Sequence, residues 1–189
     1  IRAWYGTSTG TTTLTVAAAV PKDLALGKKH SCTLMTNGEM KCWGQNTFGQ
    51  LGNGSIKNIS TPEDVNSIGQ AINMTAGGAH TCATFKNGTV RCWGNNAYGQ
   101  IGDGTNNRSL LPIPVKDLLG TVSVTAGESH TCARLQSGVI KCWGDNQFGQ
   151  LGNGSTSASS TIPVSTHNSV WPSDAIDAGD FHTCALRPN

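Results

Sequence analysis

The chain of 189 residues writes the same passage three times. "HSCTLMTNGEMKCWGQNTFGQLGNG", from His30 to Gly54, returns from His80 and again from His130. Eleven positions are identical in all three copies: His30, Cys32, Gly38, Cys42, Trp43, Gly44, Asn46, Gly49, Gln50, Gly52 and Gly54, with their equivalents. A fourth copy opens at Gly179, with His182 and Cys184 in register, so the spacings are 50, 50 and 52 residues. A fixed period of this length marks a stacked or radial array of one supersecondary unit, in which each copy buries its apolar face only against the next.

Each copy reads as strands and tight turns. A short alternating segment ("INMTAG", "VSVTAG", "DAIDAG") ends in Gly, a second strand follows ("HTCATF"), and the chain turns and returns as a third ("TVRCWG"). A less regular stretch with Pro supplies a fourth. Gly at 24 residues and the absence of a long 3.6-period apolar stripe agree with an all-β chain. The 13 basic residues, against 11 acidic, are scattered singly or in pairs, which gives no footprint for nucleic acid. No apolar run approaches the roughly 18 residues of a membrane span. The start lacks a Met and a signal-peptide plan, and the end falls inside a hairpin turn, at the position of Asn37. Both ends are therefore expected to be cuts in a longer polypeptide.

The turn between the second and third strands specifies more. "TNG", "KNG" and "QSG" place Gly third in a three-residue loop, where a left-handed residue closes the hairpin with a bulge. Counting outward from Thr36-Asn37-Gly38, Cys32 faces Cys42 in a non-hydrogen-bonded pair, where side chains approach most closely. The same count pairs Cys82 with Cys92 and Cys132 with Cys142. Three cross-strand disulfides are expected, with Cys184 left unpaired. Metal binding by His30, Cys32 and Cys42 is the competing reading, but a nine-residue gap with three ligands fits zinc poorly. Disulfides place the chain outside the cytosol.

The pattern Gly-x-x-His-x-Cys, followed by Cys-Trp-Gly-x-Asn-x-x-Gly-Gln-Leu/Ile-Gly-x-Gly, resembles the repeat of the regulator of chromosome condensation family. The resemblance covers Leu24 to the C-terminus. It implies a β-propeller, usually of seven blades, each a four-stranded sheet of about fifty residues. Repeats are then expected over about 24–73, 74–123 and 124–175, with a partial one at 176–189, in a propeller region of 20–189. Three and a fraction cannot close a seven-bladed ring without further sequence or another chain. The paired cysteines resemble the variant of secreted and surface bacterial members. The family's founder is a nuclear exchange factor that binds chromatin; a disulfide framework fits that compartment badly. A secreted β-lactamase-inhibiting propeller is nearer in habitat, and fold does not fix function.

Residues 1–19 differ in texture and weakly resemble the last hairpin of a bacterial immunoglobulin-like domain. An isolated hairpin is marginal in water, so this one is expected to pair with the rest of its own domain, with the propeller, or with a partner or second copy by strand addition.

A group that recurs once per repeat occupies several equivalent places, whereas catalysis needs one asymmetric site. His30, His80, His130 and His182 therefore read as structural, and Trp43, Trp93 and Trp143 as packing between repeats. Asp103 and Asp145 offer oxygens to calcium without the dense carboxylate pattern of a calcium loop, and no other cofactor is expected. Sequons occur at Asn53, Asn58, Asn73, Asn87, Asn107 and Asn153, and those at Asn53, Asn87 and Asn153 fall within repeat turns, where the motif overlaps turn chemistry. Recognition is expected where the copies differ, since loops on a rigid frame are the usual seat of binding. Phe48, Tyr98, Phe148 and Trp171 are the binding candidates. The sequence thus reads as a non-catalytic extracellular or cell-surface module, bacterial in origin, for adhesion, surface display or assembly into an appendage. A secreted inhibitor or receptor-like binder is the alternative, and a carbohydrate-active enzyme a distant third.

Overall fold

A computed structural model describes residues 18–156, 159–167 and 173–187. Trp171 and all but the last two residues of the 1–19 segment lie outside them. The described chain forms fourteen strands in four antiparallel sheets. The first holds β1 (Pro21–Leu26), β2 (His30–Met35), β3 (Met40–Gly44) and β4 (Ile59–Asp64). The second holds β5 (Ala71–Ala76), β6 (His80–Phe85), β7 (Val90–Gly94) and β8 (Ser109–Pro114). The third holds β9 (Thr121–Ala126), β10 (His130–Leu135), β11 (Ile140–Gly144) and β12 (Ser160–Ser165), and the fourth pairs β13 (Ala175–Ala178) with β14 (Thr183–Leu186). Strand order follows chain order, which places β4, β8 and β12 at sheet edges. Pro62, Pro112 and Pro163 sit inside these strands, where a missing N–H costs least.

The hairpin turns set the register. Met35 N–H donates to Glu39 O at 2.8 Å and Gly38 N–H to Met35 O at 2.9 Å, closing the loop Thr36-Asn37-Gly38. Gly38 has φ of 82°, and a Cβ there would meet Gln70 Cα at 2.5 Å, so both conformation and space demand glycine. Its carbonyl receives Ala71 N–H at 3.0 Å, which ties the turn of one sheet to the first strand of the next. Gly88 and Gly138 repeat the bond to Thr121 and Ser173.

That register puts Cys32 opposite Cys42, Cys82 opposite Cys92 and Cys132 opposite Cys142. Each pair is disulfide-bonded with Cα atoms 4.1 Å apart, the spacing of a non-hydrogen-bonded pair. All six cysteines are fully buried, while Cys184 is a free, exposed thiol.

Successive sheets pack face to face. Leu34, Met40 and Leu51 of the first meet Met74, Ala83 and Trp93 of the second. Val90, Ile101 and Leu118 of the second meet Val124, Ala133 and Trp143 of the third. The first strand of each sheet lies beside the first strand of the next, around a common axis. There Gly27 approaches Gly77 O, Gly77 approaches Gly127 O, and Gly127 approaches Gly179 O, each too closely for a side chain. Lys28 reaches Glu128 across 100 residues, forming a 2.9 Å ion pair from the first sheet to the third.

Removing the central staple with Cys82→Ala and Cys92→Ala is expected to lower unfolding free energy by about 3 kcal/mol, the value for closing a short loop. Urea denaturation followed by tryptophan fluorescence measures it; an unchanged midpoint would show that the staple adds nothing.

Candidate interaction surface

The junction between sheets is built on one backbone carbonyl per repeat. Gln50 O accepts the Thr81 hydroxyl at 2.8 Å and the Trp93 indole N–H at 2.9 Å, both from the following sheet. Gln100 O accepts Thr131 and Trp143, each at 2.9 Å. The threonine oxygen in turn lies 2.8 Å from His30 Nε2 for Thr81 and from His80 Nε2 for Thr131. Because each threonine hydroxyl donates to the carbonyl, its lone pair faces the histidine, and Nε2–H is the donor. Nδ1 is then an acceptor, buried without a partner in His30, His80 and His130.

Such a ring resists protonation. Charging it would place a second N–H where nothing accepts it, and burial already disfavours the cation. Desolvation lowers the His30 pKa to about 4, the His80 value to about 3 and the His130 value to about 4. For His80 the neighbouring His130 and His30 add to the shift; for His130 the Asp145 carboxylate opposes it. These imidazoles are neutral spacers, and their enclosure leaves no room for acid–base work.

The loop after the third strand is organised by a buried asparagine. Asn46 Oδ1 accepts Leu51 N–H at 3.0 Å, while its Nδ2 donates to Ser55 O at 3.0 Å and Asn53 Oδ1 at 3.2 Å. Asn96 and Asn146 do the same in the other repeats. Asp103 occupies the place of Asn53, its carboxylate accepting from Asn96, the Thr105 amide and the Thr105 hydroxyl. Asp145 is buried and accepts from Gln147 N–H and Gln150 Nε2. The proposed calcium oxygens are thus engaged in holding their own loops. Among the described residues no three His, Cys, Asp or Glu side chains gather as a metal site.

Phe48, Tyr98 and Phe148 stand at equivalent positions on that loop. Each backbone N–H is held by the side-chain oxygen of the glutamine two residues on, at 2.9 to 3.0 Å. Phe48 and Tyr98 are 39% and 38% exposed, whereas Phe148 is 68% exposed and meets Phe181 edge-on at 5.4 Å between centroids.

Sequence reasoning missed the threonines and the glutamine carbonyls. The signal was present in "HTC" of three copies, but the first copy reads "HSC", so Thr81, Thr131 and Thr183 are absent from the invariant positions.

Four-stranded antiparallel blades, stacked about an axis through a repeated joint, define a β-propeller array. The chain matches the description "Regulator of chromosome condensation (RCC1) repeat" over 37–84, 87–134 and 137–186, and a second form of the same repeat over 22–50, 71–100 and 121–150. It belongs to the regulator of chromosome condensation repeat family. Human WBSCR16 shares its fold at a TM-score of 0.81 and 22% identity, over 94% of this chain and 48% of that one. Prp20p of Saccharomyces cerevisiae, described with its binding to Gsp1p and histones, gives 0.78 and 18%, over 89% and 44%. The ectodomain of the Physcomitrella patens receptor kinase CR4 gives 0.58 and 26%, over 95% and 38%. The chain therefore spans less than half the length of each. No curated protein matches it in sequence.

Two outcomes follow from the joint. The unfolded state binds protons near the ordinary histidine value of 6.5 and the folded state only near 3 to 4. Stability is complete above about pH 6.5 and falls as pH drops toward 4, each buried imidazole removing up to about 1.4 kcal/mol per pH unit. Thermal melts from pH 7 to 4.5 read this; a flat profile would contradict it. Trp143 Nε1 lies 2.7 Å from where a Gly102 Cβ would be, whereas at Gly152 only Thr166 lies within 4 Å. Both glycines have positive φ, so Gly152→Ala is expected to cost about 1 kcal/mol of strain. Gly102→Ala is expected to cost about 2 kcal/mol more from the collision, compared by urea titration.

Proposed function

We propose that the chain is a non-catalytic extracellular binding and structural module, of bacterial origin, serving adhesion, surface display or assembly into an appendage. The observation that carries this reading is the buried disulfide in each of the three complete blades. Such bonds persist in oxidising compartments and are rare in the cytosol. The likeness to a receptor ectodomain supports the same habitat.

Repeat propellers of this family typically act as protein-binding modules, and the described partners of Prp20p are proteins. In this chain the joints and loop anchors are constant, while "SIKNISTPEDVNSIGQ" and its counterparts differ between blades. Most of these variable residues that are described are exposed. A rigid frame that presents different edges favours recognition of a protein partner over turnover of a substrate, and the proposal assigns no catalytic residue. Pairing of a protein partner or a second copy with residues 1–19 by strand addition is part of this proposal.

Protease shaving of intact source cells is expected to release peptides of this chain, with three bridges intact and only Cys184 alkylated without reductant. Recovery solely from a reduced cytosolic pool would overturn the proposal. A tight equimolar complex with one secreted hydrolase would replace it with the inhibitor reading.

A further inference from the structure

We propose that the loop end of the first two blades is a docking surface for an acidic polypeptide segment that carries apolar anchors. The surface is made by Lys29, Phe48, Ile56, Lys57, Tyr98 and Arg108, all of them exposed. It rests on the protein-binding reading and adds the chemistry of what is bound.

These residues are far apart in the chain, and the fold gathers them. Gln45 N–H donates to Lys29 O at 2.8 Å, which sets the turn before β2 beside the loop after β3. Further along that loop Asn58 Oδ1 accepts Asn46 N–H at 2.8 Å, so the segment with Ile56 and Lys57 comes back to the segment with Thr47 and Phe48. Arg108 crosses from the second blade, where its Nη1 donates to Thr47 O at 3.3 Å. Asn106 Nδ2 donates to Ala97 O at 3.1 Å, and Arg108 therefore stands between the loop segments that carry Phe48 and Tyr98.

The charge on this surface is uncompensated. Among the described residues the ion pairs are Lys28 with Glu128 and Lys41 with Asp64, and neither uses Lys29, Lys57 or Arg108. Asp103, on the second loop, is engaged by Asn96 and Thr105, and Glu63 accepts from Asn53 Nδ2. Three unpaired cations thus stand among three exposed apolar side chains, with Ile56 at 49% exposure the most open. Arginine beside aromatic rings is the composition of binding hot spots, where apolar area supplies affinity and charge selects the partner. The complement is a segment that sets carboxylates around apolar side chains. A bare polyanion would leave Phe48 and Ile56 uncovered. In the third blade Ser129 stands for Lys29, Asp145 for Gln45 and Ser159 for Arg108, so the cationic character belongs to the first two blades, where the copies differ.

The probe is a fluorescein-labelled peptide, Asp-Glu-Phe-Asp-Glu-Leu-Asp-Glu-Phe-Asp-Glu, titrated with the full 189-residue chain and read by anisotropy. Arg108→Glu is expected to weaken binding at least tenfold, and Lys57→Glu gives the same reading if the first variant does not fold. Phe48→Ala is expected to weaken it at least threefold. Lys86→Glu, at the hairpin turn on the opposite end of the second blade, is expected to leave it unchanged. A peptide with Ser for Phe and Leu, equal in charge, is expected to bind at least tenfold more weakly, and raising salt from about 50 to about 300 mM is expected to weaken the parent peptide. Absence of binding, equal binding by the Ser peptide, or equal binding to Arg108→Glu and Lys57→Glu would each overturn the proposal. Tighter binding of a single-stranded oligonucleotide or a sulfated polysaccharide would give the surface to a polyanion, and self-association that displaces the probe would give it to a second copy; both overturn it. The titration does not depend on where the protein works, so its failure leaves the result of protease shaving standing, and the reverse holds.

Discussion

The carbonyl of Gln50 does two jobs at once, and the array depends on it. A carbonyl oxygen has two lone pairs, and here a threonine hydroxyl and a tryptophan indole from the neighbouring blade occupy both. Both donors come from the same pair of facing residues, Thr81 and Trp93, so the bond is made only when the second and third strands of the next blade are correctly paired. Assembly of the array is in this way conditional on the register of each hairpin. The disulfide one residue further along the same hairpin locks that register in place.

Buried polar groups stabilise only when satisfied, and the joint satisfies its donors in a short chain from imidazole to hydroxyl to carbonyl. The chain has a direction: Nε2–H donates, and the imidazole must be neutral. Four different demands thereby fall on neighbouring positions. The indole needs a glycine at Gly52, the carbonyl needs a turn that aims it outward, the turn needs Asn46 to hold it, and the histidine needs a glycine at Gly27 beside its ring. This accounts for the density of invariant residues between His30 and Gly54 without any catalytic demand on them. The apolar layers around Leu34, Met40 and Leu51 supply area, and the polar joint supplies specificity.

Much of this was legible in the chain. The period, the strand-turn-strand order and the position of the turn glycines follow from local rules, and the cysteine register is a count outward from Gly38. The fourth strands were legible only as a less regular stretch with proline, and the sheet order then places them at the edges, where a missing N–H costs least. The joint was not, for two physical reasons. Its acceptor is a backbone carbonyl, which carries no residue identity, so nothing in the letters of Gln50 marks it. Its hydroxyl donor is a threonine in the three joints, and Ser31 in the first copy removed the position from the identical set. The loop aromatics were legible as a repeated feature, but the contrast between Phe148 and its equivalents depends on which neighbour covers each ring, and that is set by distant residues. Trp171 and the first seventeen residues lie outside the described structure.

If the joint is as described, His30, His80 and His130 are fixed as neutral Nε2–H tautomers by their threonine partners. Long-range proton–nitrogen NMR of the five histidines reads this directly. The account predicts three imidazoles that keep a protonated Nε2 and a bare Nδ1 from pH 7 down to pH 5, while His167 and His182 are read in the same spectra as references. Spectra in which all five rings titrate together near pH 6.5, or in which the three buried rings carry their proton on Nδ1, would contradict it.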